Sequence, residues 1–96
     1  MPVLQIEHAI SDFEVWKGAF DADPLQREES GVRSYRVFRP LDDAQYVKLE
    51  LDFDTPAEAE AFRVKLQGLW GSGRGAPALV GSGQARIVEL VQSKKY

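Results

Sequence analysis

The chain has 96 residues, a net charge of −3 and no cysteine. Its 44% hydrophobic and 28% charged residues describe an ordinary folded globule rather than a disordered chain. Without thiols there is no disulfide scaffold, thiol catalysis, CxxC metal transfer or thiolate zinc centre.

Residues 3–10, "VLQIEHAI", alternate in part and predict a strand. Leu4, Ile6, His8 and Ile10 share one face of it. "SDFE" then reads as a helix start, with Ser11 as N-cap and Glu14 three residues on completing a capping box. Phe13, Trp16 and Phe20, with Ala19 beside them, lie on one stripe of this helix. Pro24 ends it, because proline disfavours helical geometry in the residue before it. "PLQREESG" is a loop or a broken turn.

"GVRSYRVFRP" and "AQYVKLELDFD" flank a short acidic connection, which predicts a hairpin. The second run alternates cleanly. Val47, Leu49, Leu51 and Phe53 are expected under the helices, with Tyr46, Lys48 and Glu50 facing away. The first alternates poorly, so the faces of Tyr35 and Arg36 stay open. "TPAEAEAFRVKLQGLW" is the second helix. Thr55 caps it, Pro56 takes its first position and Glu58 closes a capping box. Ala59, Phe62, Leu66 and Leu69 form its apolar stripe. Residues 71–84, "GSGRGAPALVGSGQ", read as a long glycine-rich connection, and "ARIVELV" as the last strand.

The order β-α-β-β-α-β predicts an α+β fold, a ferredoxin-like plait over residues 1–96 as one domain. Its four-stranded antiparallel sheet carries both helices on one face. A chain of this size buries roughly 60–65% of its unfolded surface, enough for one core. The uncovered face is expected to carry Val3, Gln5 and Glu7, with Ile87, Glu89 and Val91 or their neighbours. Such a mixed face favours a twofold-related second copy over a wet sheet surface. Two sheets packed in this way close a dimeric α/β barrel.

His8 is the only histidine and the only side chain whose ordinary pKa lies near neutrality. It is therefore the candidate general base, against a structural role in which a backbone carbonyl or Asp12 holds the ring. Trp16, Phe20 and Trp70 are candidate walls of an apolar pocket, against a plain core reading. Arg36, Tyr46, Lys48 and Glu50 are polar candidates if the pocket lies on the barrel face; dimer salt bridges are the equal alternative. "GSGRG" lacks the strand-before, helix-after context of a phosphate loop. It reads as a lid or linker, with Arg74 as an anion contact. No metal motif and no cofactor are expected.

Charge is uneven. From Glu7 to Glu29 there are seven acids and two bases, and from Arg63 to Tyr96 six bases and one acid. The acidic balance argues against nucleic-acid binding, and the strands lack the aromatic platform of an RNA-recognition domain. "MPVLQIEHAI" has neither a basic n-region nor a long apolar run, so no membrane partner and a cytoplasmic location are expected.

His8 at the end of the first strand, Trp16 and Phe20, "GVRSYRVFR" and "FDTPAEAEAF" together resemble the dimeric α/β-barrel superfamily. That group includes antibiotic-biosynthesis-monooxygenase-like domains and many small bacterial proteins without an assigned role. The resemblance covers nearly the whole chain and implies a homodimer with a cleft between sheet and helices. Fold does not choose function within the group. Haem-degrading members use a histidine on or near the second helix, and this chain has none there. Two readings follow. One is a cofactor-free monooxygenase- or cyclase-like enzyme acting on a small apolar or aromatic molecule. The other is a noncatalytic ligand-binding or stress-related dimeric barrel. An amino-acid-binding regulatory domain also stays open, because such sites are built from backbone and subunit interfaces.

Overall fold

A computed structural model of the chain describes residues 1–73 and 78–96. The elements run β1 (Pro2–Ile10), α1 (Phe13–Asp21), β2 (Ser34–Phe38), β3 (Tyr46–Asp52), α2 (Pro56–Gly71) and β4 (Leu79–Glu89). The sheet is antiparallel in the order β2-β3-β1-β4, the ferredoxin-like plait.

Cross-strand pairing assigns the faces. Leu4 pairs with Leu51, Ile6 with Leu49 and His8 with Val47, so these six lie on one side. That side is the core: Leu4, Val47, Leu51 and Phe53 are sealed from solvent, and Ala59 and Phe62 of α2 are buried with them. Tyr35 pairs with Leu51 and Arg36 with Glu50. Tyr35 therefore faces the helices and Arg36 the open side, which settles what weak alternation left undecided.

Two expectations need correction and one open alternative is decided. The N-cap of α1 is Asp12, whose Oδ2 accepts from Val15 N at 3.1 Å. Ser11 instead prolongs the strand, its backbone N–H donating to Ala78 O at 3.0 Å. With the cap moved by one residue, Glu14 is no longer positioned for a capping box. Second, β4 begins at Leu79, so residues 79–84 of the glycine-rich run are strand rather than connection. Arg74 and the "GSGRG" lid fall partly or wholly outside the described residues. Third, of the two parities left open for the last strand, the structure takes the neighbours of Ile87 for the open face. Ile87 pairs with Leu4 and so faces the helices, while Arg86 and Val88, opposite Gln5 and Val3, take the open side.

At α2 the reading of Thr55 as cap and Pro56 at the first helical position stands, while the Glu58 carboxylate meets the Thr55 hydroxyl. Thr55 Oγ1 accepts from Glu58 N at 3.2 Å and donates to Glu58 Oε1 at 3.1 Å. This carboxylate also explains Gly31 (φ +102), where an added Cβ would come within 2.7 Å of Glu58 Oε2.

The β1–β4 ladder contains one irregularity. Glu7 pairs with Gln84 and Ala9 with Val80, so Gly81, Ser82 and Gly83 all stand opposite His8. Gly81 lies in the left-handed region at φ +69. Gly83 is needed for space: a Cβ there would meet His8 Cδ2 at 2.2 Å and Trp70 Cη2 at 2.9 Å.

Candidate functional site

A cavity of about 290 Å³ lies between the helices and the sheet. Ile6, Leu49 and Leu51 form its floor, and Leu79 closes it from the start of β4. One wall is Trp16, Ala19 and Phe20 of α1; the other is Phe62, Leu66, Leu69 and Trp70 of α2. The loop after α1 completes the rim with Ala22, Asp23, Pro24, Leu25 and Arg27. The space stays unfilled for a local reason. Small side chains, Ala19, Ala22 and Ala78, stand where larger ones would close the gap.

The rings around the cavity are held by one another. Trp16 stacks on Phe20 at 4.9 Å between centroids, and Phe20 meets Tyr35 edge-on at 5.1 Å. Arg27 lies over the Phe20 ring, its guanidinium carbon 3.8 Å from the centroid, and 5.1 Å from the Tyr35 centroid. Its Nη1 donates to Phe20 O at 2.8 Å and reaches Asp23 Oδ1 at 3.3 Å. Asp23 Oδ1 also accepts from Arg27 N at 2.9 Å. Asp23 and Gln26 hold left-handed backbone, φ 54 and 50, so this short loop turns twice without glycine.

His8 is 3% exposed, yet it is not a wall of the cavity. Its ring meets Trp70 edge-on at 5.0 Å, and Trp70 is the wall. Nδ1 lies 2.7 Å from Ala9 O. A carbonyl only accepts, so Nδ1 carries the proton in that contact. Asp12 is occupied by its cap on α1.

The remaining polar candidates are on the opposite face of the sheet. Arg36 donates from Nε to Glu50 Oε1 at 3.0 Å and grips Asp52 through Nη1 and Nη2 at 2.9 and 3.0 Å. Both carboxylates favour the charged guanidinium, which raises the Arg36 pKa. Tyr46 donates to Glu7 Oε1 at 2.9 Å. Burial, then the Glu7 carboxylate, push its hydroxyl above the usual tyrosine value. Arg36, Glu50 and Asp52 share a broad groove with Val3, Val88 and Val91. The candidates thus divide. Trp16, Phe20 and Trp70 meet around the cavity; Arg36, Tyr46 and Glu50 lie behind the sheet; His8 supports a wall from outside it.

Sequence reasoning missed Arg27 and Asp23. Their signal was present but faint: Arg27 is one of two bases in an acidic stretch, seven residues after Phe20. Among the described residues no three His, Asp or Glu side chains converge as a metal site. No helix among them is long and apolar enough to cross a membrane.

No family model matches the chain, and no curated protein does. Solved structures share its fold across nearly the full length. A putative antibiotic biosynthesis monooxygenase from Bordetella bronchiseptica superposes with a TM-score of 0.71 at 11% identity, covering 95% of this chain and 98% of that one. One of the same description from Deinococcus radiodurans gives 0.65 at 9% identity, covering 100% and 98%. A dimeric ferredoxin-like protein from an uncultured marine organism gives 0.62 at 11% identity, covering 97% and 98%. At such identities the likeness establishes the fold.

Proposed function

We propose that this protein is a homodimeric barrel that binds a small apolar or aromatic molecule between its helices and its sheet. The observation that carries this reading is the 290 Å³ cavity walled by Trp16, Phe20 and Trp70. An apolar cavity of roughly 150 Å³ already takes up benzene. The space here suits a fused bicycle, or one ring with a short substituent. The dimer is supported by the open face, where Val3, Val88 and Val91 surround the Arg36 cluster, and by the dimeric protein of the same fold. Cytoplasmic residence belongs to the same proposal.

The two tryptophans of the chain are both on the cavity wall, so intrinsic fluorescence reports its filling. Titration with a naphthalene derivative is expected to change the emission saturably. Ala19→Leu, which fills the space, is expected to abolish that change while the variant still unfolds cooperatively. An unresponsive emission in the wild type removes the binding reading. Solution mass tests the dimer, with twice 10.8 kDa expected.

The solved structures described as monooxygenases favour a second reading, oxygenation of the bound molecule without a cofactor, the substrate itself supplying the electrons. His8 would enter as a positioning residue that fixes Trp70, or as a base after Trp70 swings aside. Oxygen uptake by the ligand-saturated protein, with no added reductant, is the discriminating measurement.

A further inference from the structure

Among the described residues the cavity carries charge at one place, the Asp23–Arg27 corner of its rim. Arg27 is largely withdrawn from solvent, with 15% of its side chain exposed. Its guanidinium is fixed in place by the Phe20 ring on one side and by Phe20 O at Nη1. Among the described residues every hydrogen bond of this group runs through Nη1, to Phe20 O and toward Asp23. The Nε–Nη2 edge, the one that grips a carboxylate with two parallel bonds, is uncommitted. A pre-ordered, half-desolvated donor pair at the mouth of an aromatic cavity is a built anion anchor.

We propose that the ligand of this cavity is an aromatic carboxylate: its ring enters between Trp16, Phe20 and Trp70, and its carboxylate is held by Arg27. The inference rests on the binding reading above and adds the charged group to it. Asp23 works against the same carboxylate, because its Oδ1 lies 3.3 Å from Nη1 and repels a second anion there. Asp23 also ties down the loop by accepting Arg27 N. Its presence therefore makes the site selective for a group able to use the free edge of the guanidinium. The geometry permits a clean variant: asparagine tolerates the left-handed backbone at position 23, and its amide oxygen can keep the bond to Arg27 N.

The test compares 2-naphthoate with 2-naphthylmethanol, equal in ring and different in charge, by tryptophan fluorescence at pH 7 and low salt. The wild type is expected to bind the carboxylate about tenfold tighter. Asp23→Asn is expected to widen that ratio several-fold with the alcohol unchanged. Arg27→Met is expected to bring the two affinities together. Equal binding of both probes by the wild type overturns the carboxylate inference and leaves the cavity reading standing. Binding of neither probe overturns both. If Arg27→Met does not fold, Asp23→Asn decides alone: an unchanged ratio there overturns the inference.

Discussion

Gly83 is the residue on which the most geometry depends. The imidazole of His8 and the indole edge of Trp70 both occupy the space its side chain would take. An added methyl has nowhere to go, since His8 is fixed to Ala9 O and Trp70 borders the cavity. Gly83→Ala is expected to cost about 1–3 kcal/mol through overpacking, measured by urea denaturation. The double variant His8→Ala, Gly83→Ala should recover part of that loss. Recovery by the second change, rather than a further loss, is what separates a clash with this ring from a general weakening of β4. Trp70 fluorescence should shift in the single variant because the indole must move.

At the scale of elements, α2 is started by its own sequence. Thr55 Oγ1 accepts the N–H of Glu58 and donates to its carboxylate, so Thr55→Ala is expected to cost about 1 kcal/mol. A thermal melt with an unchanged midpoint would show the cap idle. This start was legible because every part of the signal is local. So were the faces of β3, where strict alternation puts Val47, Leu49 and Leu51 on one side. What stayed hidden was set by partners far along the chain. Ser11 and Asp12 are equally good caps, and the pairing of Ser11 with Ala78 leaves the role to Asp12. The last strand begins inside a glycine-rich run because β1 pairs with it there, and no local preference announces that. The same holds for the site. The rings of Trp16 and Phe20 follow from helical spacing, whereas Arg27 reaches Phe20 only through two left-handed turns that no periodicity encodes.

For the molecule as a whole, the open face of the sheet couples stability to acid. The Arg36 guanidinium is the largest influence on Asp52, holding its carboxyl below the ordinary value of 3.8; the Ser34 hydroxyl helps and burial opposes. Folding therefore favours the ionised form. That stabilisation is complete above the unfolded value and is lost as pH falls through the lower, folded one. Between pH 5 and 2 the stability of Asp52→Asn is expected to fall less steeply than that of the wild type, measured by denaturant titration at each pH. Identical slopes would remove this pair from the acid response. In the proposed dimer the cluster lies beneath the partner, so acid should loosen assembly as well as fold.

The irregularity opposite His8 has a consequence for how the protein keeps apart from its neighbours. β4 is an edge strand, and a long regular edge offers unpaired N–H and C=O groups as a template for another chain. Gly81, Ser82 and Gly83 break that edge into a two-residue piece, 79–80, and a second piece, 84–89. The two pieces pair with β1 in different registers, so an incoming strand would meet an irregular stretch within β4. The residues that make room for one imidazole thereby also place an irregularity on an edge where a regular strand would invite pairing.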